Sequence, residues 1–146
     1  MKELKVYLCG KMGGLSLEEM NTWRVQIKKQ LLDVSEQVGC KIIVVNPVDY
    51  YNFEKKCHQS EREVKNYDLA HVETSNILIA NLDELISSDG SKAEMLIANY
   101  CHRIPVIAFG DKQLYDKLHP WTQEDIMRVE KTPTDVVEYI RDFYMV

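Results

Sequence analysis

Four short apolar runs constrain this chain most: LKVYLC at 4–9, KIIVVN at 41–46, NILIANL at 76–82 and IPVIAF at 104–109. Each is too short to build a helix with a buried stripe, and Val and Ile crowd them, as on a pleated surface. Near-continuous apolar runs mark strands covered on both faces, and KIIVVN has that signature most clearly. The segments between them repeat with helical spacing. Ser16 and Glu19 form an S-x-x-E box, so a helix starts near Leu17. Met20, Trp23, Ile27, Leu31, Val34 and Val38 then follow at steps of three and four, and Gly39 stands where a C-cap belongs. Further helices are expected over about 59–74, 91–102 and 132–143, the last with Pro133 in its first turn. Residues 111–124 read as irregular, and 126–129 as a short fifth strand. Strands separated by helices require right-handed crossovers and a parallel sheet. The expected fold is α/β, a three-layer α/β/α sandwich with a Rossmann- or flavodoxin-like parallel sheet of about five strands, in a single domain spanning 1–146.

Charge and cysteine use narrow the function classes. The net charge is -5, and only Lys28-Lys29 and Lys55-Lys56 pair up, so no basic stripe tracks phosphates. No run approaches the ~20 apolar residues of a membrane span. The N-terminal MKELKVYLCG is too short and too interrupted for a secretory signal. The expectation is a cytoplasmic protein with neither nucleic acid nor membrane as partner. Cys9, Cys40, Cys57 and Cys101 show no CxxC spacing and read as small buried hydrophobes in a reducing compartment. His58, His71, His102 and His119 lack ligand spacing, so no metal site is expected.

The stretch from 66 to 94, NYDLAHVETSNILIANLDELISSDGSKAE, carries the chemistry. Asp68 shares a helix face with Val64 and Val72, where a carboxylate must be paired, hydrogen-bonded or turned into a cleft. Glu94 follows the turn Ser88-Asp89-Gly90 beyond an apolar strand, the edge at which open α/β sheets bind ligands. Two carboxylates converging on a crevice suit chemistry at a glycosidic carbon. Plainer readings stand beside these. Ser91 and Glu94 match a capping box, Asp89 an Asx turn, Asp68 a surface carboxylate, and Tyr7 a core residue. GKMGG at 10–14 is neither nucleotide fingerprint, though Lys11 offers a cationic contact for phosphate or carboxylate. Tyr50, Tyr51 and Phe53 form either a stacking wall for a base or a plug at the core's edge. His119-Pro120-Trp121 either packs Trp121 on the core or lends it to a pocket shared with a neighbouring subunit.

These residues resemble the nucleoside 2-deoxyribosyltransferase family over nearly the whole chain. The likeness rests on Tyr7 and Gly10 at the end of the first strand, Asp68 in NYDLAHVETSN, and Glu94 in SSDGSKAEM, with the HPW segment and last helix in support. The resemblance implies a retaining double displacement in which Glu94 attacks C1′ of a deoxyribose, Tyr7 orients it, Asp68 holds the sugar hydroxyls and Asp89 handles the proton on the base. Asp89 lies five residues before Glu94, where the family's loop carboxylate usually lies six. Ser87, Ser88 and Ser91 resemble the phosphate-binding serines of related deoxynucleoside 5′-monophosphate N-glycosidases, in which water takes the sugar. The expected substrate contacts are Gly10, Lys11, Ser88, Ser91, Tyr51 and Trp121. The implied partners are a deoxynucleoside or deoxynucleotide, a free nucleobase, and further copies of the chain in a homo-oligomer; no metal or organic cofactor is implied. A non-catalytic nucleotide-binding module is the third reading.

Overall fold

A computed structural model describes residues 2–146. Five parallel strands form one sheet in the order β2-β1-β3-β4-β5. The strands are β1 (Glu3–Cys9), β2 (Lys41–Val45), β3 (Ile77–Asn81), β4 (Val106–Phe109) and β5 (Arg128–Glu130). The helices are α1 (Leu17–Val38), α2 (Glu61–Glu73), α3 (Asp89–Leu96), α4 (Lys112–Asp116), α5 (Pro120–Glu124) and α6 (Pro133–Tyr144). The order is the flavodoxin-like one, and the expected sandwich is what forms.

Alternation along the central strands divides the core. Val6 and Leu8 of β1, with Ile77, Ile79 and Ile107, face the layer of α1 and α6, where Ile27, Leu31, Val136 and Ile140 are buried. Tyr7 and Cys9, with Leu78, Ala80, Val106 and Ala108, face the layer that holds Val72 of α2 and Met95 of α3. The register sets Tyr7 opposite Val45 on one side and Leu78 on the other. The chain leaves β1 toward β2 on one side, whereas β3 lies on the other. The loops after β1 and β3 therefore diverge and leave a crevice at the C-terminal ends of both strands.

Local signals explain the boundaries. Ser16 and Glu19 make the reciprocal capping box, and Gly39 closes α1 at φ 73. Ser60 and Glu63 form a second box at the start of α2. Thr132 caps α6. Four sequence expectations change. β2 is an edge strand with Lys41 and Ile43 exposed, so its apolar run is covered on both faces only in part. The helix expected from 91 begins at Asp89, with Ser88 as its N-cap, and continues through a π-helical turn at Ile97–Cys101. The stretch 111–124 holds two five-residue helices, capped by the side chains of Asp111 and His119, too short to show a period. Cys57 and Cys101 are exposed, while Cys9 and Cys40 are buried, and all four are free. Among the described residues no helix is long and apolar enough to cross a membrane.

Gly110 follows β4 at φ 138, and a Cβ there would lie 3.0 Å from that of Leu82. Gly13 has open space around it. Gly110→Ala is expected to lower the unfolding free energy by about 1–3 kcal/mol through strain and crowding. Gly13→Ala should stay within about 0.5 kcal/mol of the parent in the same urea titration.

Candidate active site

The crevice is organised by one carboxylate. Glu94 projects from α3 toward the end of β1, and its two oxygens meet two different donors from that strand. The Tyr7 hydroxyl donates to Oε2 in a short hydrogen bond. The Cys9 thiol points at Oε1, 3.8 Å away, and also at the Ser91 carbonyl at 3.5 Å. Residues 7 and 9 share one face of a strand, so this pair of donors follows from the pleat.

Burial decides the electrostatics. Removal from water pushes the Glu94 carboxyl up to about 7, while the Tyr7 hydrogen bond pulls it back down; nearby Asp68 raises it and Arg24 lowers it. Tyr7 itself is pushed far above the ordinary phenol range, first by burial and then by the neighbouring Glu94 charge, so it stays a proton donor. Burial likewise keeps the Cys9 thiol protonated. A carboxyl that titrates near neutrality suits either nucleophilic or acid–base work.

Asp68 reaches the same crevice from α2. Its Oδ1 accepts hydrogen bonds from the hydroxyls of Tyr50 and Tyr51, both at 2.5 Å. Those tyrosines lie at the end of a 3₁₀ turn at Pro47–Tyr50, whose start is fixed by Asn46 accepting from the Val48 N–H at 3.0 Å. Tyr50 stacks on His71, with ring centroids 5.2 Å apart, and meets Tyr67 edge-on. Asp68, Asp89 and Glu94 together line a cavity of about 500 Å³, with Arg62 and Lys65 at its wall. A larger neighbour, about 800 Å³, is lined by Met12, Tyr51, Phe53 and Tyr67 and does not include Glu94; the two share Glu61 and Val64.

The crevice thus brings together Glu94, Tyr7, Asp68, Asp89 and, through Asp68, Tyr51. The capping-box reading of Glu94 fails, because Ser88 is the N-cap and the Glu94 side chain faces β1. Asp89 is the first helical residue, its side chain fully exposed and 3.4 Å from the Lys92 ammonium. Tyr50, Tyr51 and Phe53 all wall the larger cavity, and Tyr50 also packs against the core. Other expected contacts lie elsewhere. Lys11 faces a separate groove of about 640 Å³ with Trp23, Asn81 and Glu84, its ammonium 2.9 Å from the Ser87 hydroxyl. Ser91 is buried within α3 and accepts from the Ser88 hydroxyl at 2.7 Å. Gly10 is enclosed, since a Cβ would come 2.7 Å from Trp23 Cζ2. Trp121 is 83% exposed, so it does not pack on the core as one reading had it. Sequence reasoning missed Cys9 and Arg24 as parts of the site. Among the described residues no group of three or more His, Cys, Asp or Glu is placed to hold a metal ion.

Comparison with solved structures supplies the fold's relatives. A conserved protein from Enterococcus faecalis V583 is 18% identical, with a TM-score of 0.74 over 96% of this chain and 98% of its own. A 2-deoxyribosyltransferase from Bacillus psychrosaccharolyticus is 19% identical, with a TM-score of 0.52 over 92% and 91%. A CMP N-glycosidase from Clostridium botulinum is 11% identical, with a TM-score of 0.50 over 95% and 99%. This chain shares their fold. Two of these neighbours are thus the kinds of protein that the sequence resembles. No protein-family model and no curated protein matches the sequence.

The raised Glu94 carboxyl fixes the sign of a pH effect. Its ordinary value is 4.5 and its folded value about 7, so the folded state holds the proton more tightly than the unfolded state. Its contribution to stability is fully present below about 4.5 and is lost as pH rises through about 7. Glu94→Gln should remove on the order of 3 kcal/mol of this pH dependence between those limits, measured by urea unfolding at each pH. Tyr7→Phe should move the carboxyl titration of Glu94, read by infrared difference spectroscopy, to higher pH.

Proposed function

We propose that this protein is a nucleoside 2-deoxyribosyltransferase with Glu94 as its nucleophile. The observation that carries this reading is a buried carboxylate aimed by Tyr7 and Cys9 into a crevice at the switch point of a parallel sheet, with Asp68 opposite. The shared fold of a 2-deoxyribosyltransferase supports it.

In the proposed reaction, ionised Glu94 attacks C1′ of the deoxyribose from the face away from the base. The C1′–N bond breaks, and its electron pair leaves with the base nitrogen, which takes up a proton. Asp89, exposed at the mouth of the crevice, is the group proposed to handle that proton. Asp68 holds the sugar hydroxyls, its carboxylate already steadied by two phenols. A second base then attacks C1′ from the vacated side, surrenders its proton and releases Glu94, so the configuration is retained. Tyr7 keeps its proton throughout and spreads negative charge away from Oε2 in the resting state. Tyr51 and Phe53, on the wall of the adjoining cavity, are placed to offer an aromatic surface to the base.

A second reading is hydrolysis of a deoxynucleoside 5′-monophosphate. It is favoured by the fold of a CMP N-glycosidase, whereas the Lys11 ammonium, paired with Glu84 in a separate groove, does not add to it. Water would then replace the second base. In either case a homo-oligomer is part of the proposal.

Incubation of the protein with thymidine and adenine should yield deoxyadenosine by chromatography. Glu94→Ala should lower that rate by more than about a thousandfold. The parent's rate should rise with pH on an acidic limb near the Glu94 value of about 7. Free base from monophosphates with no new nucleoside would select the hydrolytic reading. No turnover with any of several bases or monophosphates would remove both.

A further inference from the structure

Arg24 is the one guanidinium sealed inside the described molecule. It is 1% exposed, on α1, and no carboxylate lies within ion-pair distance of it among the described residues. Its terminal nitrogens donate to two carbonyls, that of Met20 one turn back and that of Gly10 at 2.9 Å. Its carbon centre sits 4.5 Å from the Trp23 ring centroid, and its Nε has no partner. A methionine would fill such a place without the cost of desolvating a full charge. The packing of α1 alone therefore does not account for an arginine here.

The charge does have a target. Gly10 directly follows Cys9, and the Cys9 thiol is 3.8 Å from Glu94 Oε1. The guanidinium therefore bonds the residue next to the one that touches the carboxylate, behind the end of β1. We propose that Arg24 is a positioning residue for Glu94: its buried positive charge favours the ionised carboxylate from behind β1, and its bond to the Gly10 carbonyl fixes the strand end that carries Cys9.

The other groups around Glu94 do not supply this. Tyr7 and Cys9 from β1 are neutral donors. Asp68 from α2 and Asp89 from the start of α3 are negative. Glu61, Arg62 and Lys65 of α2 lie at the wall of an open cavity, where solvent screens them. Arg24 is the positive charge near Glu94 that water does not reach. The direction of its effect agrees, since burial raises the Glu94 carboxyl and Arg24 lowers it. The residues that share its field are Cys9, Tyr7, Glu94 and Tyr50, and Glu94 is the only carboxylate among them.

The consequence for catalysis rests on the reading of Glu94 as nucleophile, but the ionisation can be read without turnover. The experiment is infrared difference titration of the Glu94 carboxyl, identified by its loss in Glu94→Gln, in the parent and in Arg24→Met, Arg24→Gln and Arg24→Lys. Near-ultraviolet circular dichroism establishes that each variant is folded. The expected result is a midpoint about one pH unit higher in Arg24→Met and Arg24→Gln, with Arg24→Lys staying near the parent. The acidic limb of base exchange should move with it in the same direction.

A midpoint unmoved in a folded neutral variant would overturn the proposal. So would rescue by Gln but not Lys, which would make the Gly10 bond the whole role. Failure of both neutral variants to fold while Lys folds would assign the arginine to the architecture and overturn it as well. A shifted midpoint in a protein that turns over no nucleoside or nucleotide would leave Arg24 as placed and remove the transferase reading instead.

Discussion

The structure turns on a carboxylate held out of water at the end of a parallel strand. An ionised carboxylate is costly to bury, so Glu94 is tolerable only where donors meet both of its oxygens. Tyr7 and Cys9 do so from a single strand, and they reach it only because β1 is central and α3 lies against the face that residues 7 and 9 share. A slip of one residue in the register of β1 would turn both donors toward α1 and leave the carboxylate bare. The strand order, the pairing of β1 with both neighbours and the packing of α3 are thus conditions for one contact.

Much of the architecture was legible because it rests on local rules. The capping box at Ser16, the stripe through Met20, Ile27 and Leu31, and Gly39 at φ 73 all behave as their spacing indicates. The apolar runs became the four inner and edge strands. What was not legible depends on neighbours. KIIVVN has the composition of an inner strand, yet β2 is an edge, because nothing in a strand's own sequence states how many strands pair beyond it. The start of α3 was misplaced for a related reason. Ser88 and Ser91 are both plausible caps, and the choice between them is made by Glu94, which has a partner on β1 and no need of the helix terminus.

The site shows the same division. Asp68 was found by asking why a carboxylate should sit on an apolar stripe. Arg24 satisfies the same test, since it lies on the line from Met20 to Ile27, although the apolar members alone define the stripe's period. Cys9 was legible in principle as the residue two beyond Tyr7 on one strand face. The distance between the loop of Lys11 and the crevice of Glu94 was not, because the direction in which a flexible loop leaves a strand is set by what it packs on. Here Gly10 is pinned under Trp23 and bonded to Arg24, which carries Lys11 toward Glu84 and Ser87.

The two carboxylates are anchored by different means. Glu94 is held from β1, a central strand paired on both sides, and backed by a helix packed along the opposite face; every one of its supports is buried. Asp68 is held by the phenols of Tyr50 and Tyr51, at the boundary between an edge-strand turn and an exposed loop. Tyr50 also packs against the core, and both phenols line the larger cavity as well as bonding Asp68. Glu94 thus rests on supports sealed in the core and Asp68 on two phenols at a cavity wall, and Glu61 and Val64 are the residues that the two cavities share.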